Sequence, residues 1–407
     1  MKETKNVPQL RFSAFDNEWE EKNFSEITYI SATKNKSNLP LESYSITNEN
    51  GFIPQDEQFE NGGTMKDADK RMYWIVPPKS FGYNPARINV GSIGYYDGKK
   101  DVIVSSLYEI FKMTENCDDA FFWQWFKSDN LQKQVLKLQE GGVRLYFYYD
   151  KLCMGEIKIP SKDEQQKIGS LLSNLDSLIQ AKTKKLKSLK AVKKSLLQKC
   201  FPKAGEKVPE MRFAGFSGDW EEKKLGEVAE ISSGTTPSRM NSENFSGDVC
   251  WLTSGELKSH YIYDTSEKIN ESIAETMRTY KKGTVVIAIY GLEAAGIRGT
   301  CSILKRDCTI SQACMAFTNL KSVHNEFLYC WYIANGNEIG TKYAQGTKQQ
   351  NLSSDIVSDM SICFPTLAEQ QKIGQFFSKY DSLICVQQKE IDKLKDIKKS
   401  LLQKMFV

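Results

Sequence analysis

The sequence has almost no histidine. Two residues, His260 and His324, stand in a chain of 407, which leaves little for acid–base catalysis near neutral pH. No apolar run approaches the roughly 20 residues that a membrane-spanning helix needs, and the charged start, Met1-Lys2-Glu3-Thr4-Lys5, is unlike a secretory signal. The ten cysteines show no CxxC spacing, the closest group being Cys301, Cys308 and Cys314. With the two histidines they form no zinc-ligand pattern, so no metal site is expected. They read as reduced core residues of a cytoplasmic protein. A GxxxxGK[ST] phosphate loop and an HExxH zinc motif are both missing. Asn84-Pro85-Ala86-Arg87 is only a near miss to the Asn/Asp-Pro-Pro-aromatic signature of amino-methyltransferases, and no glycine-rich cofactor loop follows a strand early in either half. The chain therefore reads as non-catalytic.

What is present is a repeat. Val7-Pro8-Gln9-Leu10-Arg11-Phe12, then Phe15, Trp19-Glu20-Glu21-Lys22 and Glu26, returns 201 residues later as Val208-Pro209-Glu210-Met211-Arg212-Phe213, then Phe216, Trp220-Glu221-Glu222-Lys223 and Glu227. Glu164-Gln165-Gln166-Lys167-Ile168-Gly169 returns 205 residues later at Glu369–Gly374, and Lys193-Lys194-Ser195-Leu196-Leu197-Gln198-Lys199 at Lys398–Lys404. Between these ends the copies differ heavily. A period near 200 residues means a duplicated domain rather than a solenoid. The expected organisation is a module over 1–161, a helix over 162–201, a linker over 202–207, a second module over 208–365 and a second helix over 366–407. The net charge of +4 is unevenly spread: residues 162–200 carry +7 and 366–407 carry +3, leaving −6 for the remainder. The globular parts are thus mildly acidic, and any nucleic-acid site on them must be a local patch.

The two long segments predict helices of about 57 Å each. The first has no proline within it and is rich in Leu, Lys, Gln and Ala. A heptad reading puts Ile168, Leu175, Leu189 and Leu196 at a, and Leu171, Leu178 and Val192 at d. In the second helix a holds Ile373, Tyr380, Leu394 and Leu401, and d holds Phe376, Leu383 and Ile397. Each pattern is interrupted at its middle, by Lys182 and Lys185 in one and by Gln387 and Glu390 in the other. An antiparallel pairing with Lys182 opposite Glu390 lets these interruptions meet as a register-fixing layer, with Leu171 facing Leu401, Leu175 facing Ile397 and Lys185 facing Gln387. The expected fold is α+β: two mixed α/β modules joined by a long intramolecular antiparallel two-helix coiled coil, related by a pseudo-two-fold axis. Such a spacer with two heads suits a ligand that is itself two-fold, such as duplex DNA.

Within the modules, Asp101–Ser105 and Thr284–Tyr290 predict strands, and Ala120–Gln139 predicts one amphipathic helix with a counterpart near Glu326–Tyr343. Polar loops supply the candidate DNA-binding residues. In the first module they are Lys79, Ser80, Tyr83, Asn84, Arg87, Lys99, Lys100 and Arg144. In the second they are Ser233, Thr235, Thr236, Arg239, Thr253, Ser254, Arg298, Thr347, Lys348, Gln349, Gln350 and Asn351. Gln and Asn can bond an adenine edge, Arg and Lys a guanine edge, and Ser and Thr a phosphate. At the 205-residue offset Gly141 falls on Gly346 while Arg144 falls on Gln349, so one loop is kept while its reading residue changes.

The paired VPxxRF…F…WEEK openings, the two PxxxEQQKIG helix starts and the two KKSLLQK helix ends resemble, over nearly the whole chain, the specificity subunits of Type I restriction–modification systems. The resemblance implies two target-recognition domains that each read half of a bipartite DNA sequence, with central helices that set the gap. It also implies two methyltransferase subunits, which hold S-adenosylmethionine and methylate adenine, and two restriction subunits, which use ATP and Mg. No cofactor is implied in this chain. The rival readings are a coiled-coil scaffold with two protein-binding heads and a self-contained methyltransferase or nuclease; the missing catalytic motifs count against the latter.

Overall fold

A computed structural model describes residues 6–58, 69–139, 145–291, 299–342 and 351–407. The chain forms two compact units. Unit one is Met1–Lys182 with Glu390–Val407, and unit two is Thr183–Lys389. The division falls inside both long helices, Lys162–Lys199 and Leu367–Met405, so each unit combines one module with the start of one helix and the end of the other. No helix among the described residues is long and apolar enough to cross a membrane.

In unit one a four-stranded antiparallel sheet runs Thr28–Ile30, Glu109–Met113, Ser80–Tyr83, Ile93–Tyr96. A mixed five-stranded sheet runs Thr33–Lys34, Trp74–Val76, Val102–Val104, Ser43–Thr47, Gly51–Pro54, with Val102–Val104 parallel to Ser43–Thr47. Unit two has a five-stranded sheet in the order Glu230–Ser233, Cys314–Thr318, Val285–Ala288, Cys301–Leu304, Tyr261–Ile262. Beside it a three-stranded sheet carries Val249–Leu252 parallel to Thr309–Ile310. The predicted strands are present as Val102–Val104 and Val285–Ala288. The expected single helix from Ala120 is two, Asp119–Phe126 and Asp129–Leu138. Ser128 breaks it by donating to the Trp125 carbonyl (2.7 Å) while its Oγ caps the Asn130 N–H, the local bonding that makes serine a start signal. Its counterpart, Asn325–Lys342, is continuous.

The repeated residues hold one another. Arg11 donates twice to Glu164 (2.8 and 2.7 Å), and Arg212 does the same to Glu369 (2.8 and 2.7 Å). Both carboxylates are almost fully buried. The adjacent glutamine caps a module helix: Gln165 accepts from Asp118 N–H (2.9 Å) and Gln370 from His324 N–H (2.7 Å). Ile168 and Ile373 enter the cores. Gly169 and Gly374 permit close approach, since a Cβ would lie 2.6 Å from Phe121 N and 2.5 Å from Glu326 Cβ. The WEEK segment pairs as a strand with the residues before each long helix, Glu20–Asn23 with Glu156–Ile159 and Glu221–Lys224 with Ser361–Phe364. Trp19 packs edge to face on Phe121, which meets Phe406 at a tilt, in unit one; in unit two Trp220 packs edge to face on both Phe201 and Phe327. The Leu10 N–H bonds Lys404 O, and the Met211 N–H bonds Lys199 O. Each module's opening is thus fastened to the end of the helix that does not follow it.

The helices pair antiparallel in both units. In unit one Lys182 meets Glu390 at 2.7 Å and Asp176 meets Lys398 at 2.5 Å. In unit two Lys193 meets Asp381 at 2.5 Å, and Leu197 and Cys200 share a core with Ile373 and Phe377. The seam, however, is not the predicted one. The a positions hold, but the alternating partners are Leu172, Ile179, Leu186, Lys193 and Cys200 in the first helix and Phe377, Ile384, Ile391, Lys398 and Met405 in the second. The predicted d residues Leu171, Leu178, Val192, Leu383 and Ile397 are 38–57% exposed. Both three- and four-residue steps satisfy a 3.5 repeat, and Leu171-Leu172 and Leu178-Ile179 offer an apolar residue at each. The two ends of the choice disagree: a four-residue step from Lys182 buries Leu186 in place of Lys185, but from Leu189 it covers Lys193 in place of Val192. Lys182–Glu390 is consequently a partly exposed pair at the edge of the seam, while Gln387, Lys193 and Lys398 are polar residues within it.

Each module also grips the helices through the aspartate paired to lysine. Asp176 accepts from Gln124 Nε2 (2.9 Å) with Lys127 at 3.5 Å. Asp381 instead lies 3.0 Å from His260 Nδ1, and His260 Nε2 lies 2.8 Å from Glu326. The imidazole is sandwiched between Tyr261 and Tyr329, at 4.0 and 3.9 Å between centroids. Of the ten free cysteines, seven are buried and Cys385 is exposed.

Candidate nucleic-acid interface

In unit two one end of the sheet pair gathers the polar loops. Gly234 N–H bonds Cys314 O (3.1 Å) and Thr235 N–H bonds Ile310 O (3.0 Å), so the segment after Glu230–Ser233 lies across the turn between two strands. A Cβ at Gly234 would collide with the Ile310 carbonyl, which requires glycine there. Ser311 N–H bonds Leu252 O (2.8 Å), bringing in the loop that begins at Thr253. Ile289 N–H bonds Ala313 O and Leu352 N–H bonds Ile289 O, which adds Asn351. Ser233, Thr235, Thr236, Arg239, Thr253, Ser254 and Asn351 are therefore carried by segments that converge on one end of one unit.

Their side chains are unequally free. Ser233 and Thr235 are exposed. The Thr236 hydroxyl accepts from Gln312 N–H (3.3 Å), and the Thr253 hydroxyl donates to Glu256 (3.0 Å). Arg239 is committed. Its guanidinium pairs with both oxygens of Glu267 and lies over the Phe245 and Trp251 rings, 4.5 and 5.2 Å from their centroids. That pairing holds the Glu267 carboxyl below its usual range. Nearby, the Cys250 thiol and Lys268 hold Asp264 down at about 2, and Arg306 also faces that carboxylate. Among the described residues, Arg239, Lys268 and Arg306 are thus each paired with an acid. The described end presents hydroxyls and backbone donors, which can bond phosphate oxygens, and an amide, which can bond a base edge.

Unit one does not collect its candidates in the same way. Lys79 precedes strand Ser80–Tyr83, and Asn84 and Arg87 follow it. Lys79, Arg87, Lys99 and Lys100 are exposed; Asn84 is half-buried and accepts from Ala86 N–H (3.0 Å) in a turn. Two residues are removed from the candidate set by burial. The Ser80 hydroxyl, in the sheet interior, donates to Pro77 O (2.7 Å). Tyr83 is buried against Phe111 and Phe147. In a strand reading SFGY neither periodicity nor polarity reveals that all four positions are covered. Arg144, Arg298, Thr347, Lys348, Gln349 and Gln350 lie outside the described residues. Sequence reasoning missed Gln312, exposed at the centre of the unit-two cluster; its only signal is a position just after a short apolar strand.

A family model described as "Type I restriction modification DNA specificity domain" matches the chain twice, at residues 16–191 and 217–396. The MjaIX specificity subunit of Methanocaldococcus jannaschii is 27% identical over 195 residues, 46% of this chain and 44% of that protein, so this alignment spans less than half of that relative's length. The MjaVIII specificity subunit of the same organism is 24% identical over 340 residues, 77% of this chain and 75% of that protein. Among solved structures, the Type I restriction–modification S subunit of M. genitalium superposes with a TM-score of 0.65 at 14% identity, over 98% of this chain and 99% of that one. A chain from a type I R-M system studied for complex assembly and conformational transition gives 0.54 at 15% identity, over 95% and 97%. At such identities the structural likeness is one of fold.

Proposed function

The chain belongs to the family of Type I restriction–modification DNA specificity domains, and from that premise we propose that it is the non-catalytic, sequence-reading subunit of a Type I restriction–modification complex. Each module reads one half of a bipartite duplex target, and the two long helices set the gap between the halves. The observation that carries this reading is a frame built twice around unlike loops. Arg11–Glu164 and Arg212–Glu369 repeat bond for bond, while the polar loops at the sheet ends share almost no residues.

Two methyltransferase subunits dock on the helices. Supporting this are apolar side chains left beside the seam at equivalent positions 205 residues apart: Leu178 with Ile397 in unit one, and Leu383 with Val192 in unit two. Burial beneath a partner helix would remove this surface from water. S-adenosylmethionine is held by those partners, and ATP and Mg by two restriction subunits; this chain holds no cofactor. The complex works in the cytoplasm.

The test is binding of the complex, reconstituted with its methyltransferase subunit, to a library of bipartite duplexes at several salt concentrations. One bipartite sequence is expected to retain binding at salt that abolishes binding to the others. Equal binding to all sequences would instead identify a scaffold with two protein-binding heads.

A further inference from the structure

A single turn is built into both modules at equivalent places in the chain. Tyr29 pairs with Lys112 and Glu230 pairs with Thr318, and Tyr29 and Glu230 are equivalent positions of the 201-residue repeat. Counting back along the partner strand, Ser105-Ser106-Leu107-Tyr108 corresponds to Ser311-Gln312-Ala313-Cys314. Each segment is closed by the same bond, Tyr108 N–H to Ser105 O (3.3 Å) and Cys314 N–H to Ser311 O (2.9 Å). Each follows a buried strand held in parallel pairing. The frame residue is serine in both, and the two residues at the tip differ.

We propose that these tips are specificity determinants, with Gln312 reading an adenine edge and Ser106-Leu107 making the corresponding contact for the first module. The inference rests on the DNA-reading function proposed above and names the residues that perform it. Gln312 is exposed, and among the described residues its side-chain amide makes no hydrogen bond. Its backbone is held on three sides: its own N–H by Thr236 Oγ1, the Ser311 N–H by Leu252 O, and the Ala313 carbonyl by Ile289 N–H. A free amide on a fixed backbone has the donor and acceptor needed for bidentate bonding to adenine N6 and N7. Leu107 is 71% exposed at the first module's tip, and a leucine there offers an apolar contact for a thymine methyl, a different reading on the same turn. Neither tip carries charge, so each contributes to discrimination rather than to salt-dependent affinity.

The experiment maps methylated adenines in the genome of a host carrying this chain with its methyltransferase subunit. Gln312→Ala is expected to relax one base position in one half-site, by roughly tenfold or more, leaving the other half-site and the gap unchanged. Gln312→Asn, which retains a shorter amide, is expected to relax the same position less. Ser106→Gln with Leu107→Ala is expected to alter only the other half-site. An unchanged motif, changes in both halves from one variant, or loss of all methylation without relaxation of a single position would overturn the proposal. Absence of any bipartite motif with the unaltered chain would contradict the DNA-reading function itself, a separate failure.

Discussion

Asp176 and Asp381 occupy the same place in the two long helices and pair with equivalent lysines, yet the modules meet them differently. Unit one offers an amide and an amine, Gln124 and Lys127. Unit two offers a buried imidazole wedged between Asp381 and Glu326. The frame is fixed by the repeated residues, while the grip on it diverges with the module. The two ends therefore differ in their response to pH. Burial alone would push His260 down, but the Asp381 and Glu326 carboxylates outweigh it and raise its pKa. Asp381 and Glu326 are in turn lowered against burial, by His260 with Lys193 and by His260 with Tyr261 respectively. A raised histidine stabilises the fold fully below its unfolded value, about 6.5, and this contribution is lost as pH rises through the folded value. The lowered carboxylates contribute above their unfolded range and lose that contribution as pH falls through the folded one. Unit two's grip is thus strongest in mildly acid solution and weakens on the alkaline side.

The largest effects should fall where the ends are the same. Arg11→Ala and Arg212→Ala each leave a buried glutamate unpaired and are expected to cost about 3 kcal/mol in urea unfolding. Arg212 also donates to Gly218 O (2.6 Å) and Ser217 O (3.1 Å), so its loss is expected to be the costlier by about 1 kcal/mol; a clearly larger cost for Arg11 would break the equivalence of the frames. Next comes the contrast itself. His260→Gln is expected to cost about 2 kcal/mol near pH 6, as loss of a charge-assisted bond does, with the loss shrinking toward pH 9. Gln124→Ala should cost about 1 kcal/mol with no trend from pH 6 to 9, and parallel pH profiles for the two would contradict the assignment of the imidazole. Lys182→Ala removes an exposed pair and should cost about 0.5 kcal/mol, less in high salt; a larger, salt-independent cost would return this pair to the interior of the seam. Smallest for stability are Leu178→Ser and Leu383→Ser, expected to lie within about 0.5 kcal/mol while weakening association with the methyltransferase subunit in titration.

The frame was legible because its residues recur. Arg11, Glu164, Gln165, Ile168 and Gly169 each have a counterpart, and recurrence marks them before any contact is known. The antiparallel pairing was legible from Lys182 and Glu390, since opposite charges at matching interruptions favour one register. The seam was not, because adjacent apolar pairs such as Leu171-Leu172 satisfy two heptad phases and only neighbouring packing selects between them. The candidate site was half legible. Polar, glycine-bearing loops pointed to the unit-two cluster, but burial of Ser80 and Tyr83 follows from sheet stacking that local sequence does not encode. Gln312 carries no motif, and its prominence comes from three loops meeting around it.

The central claim is that two unlike readers are mounted on one repeated frame. Replacing residues 8–160 with the corresponding module of another family member, then mapping methylated adenines with the same methyltransferase subunit, tests it most directly. The expected result is a new sequence in one half-site, with the other half-site unchanged. A motif altered in both halves, or in neither, would contradict it.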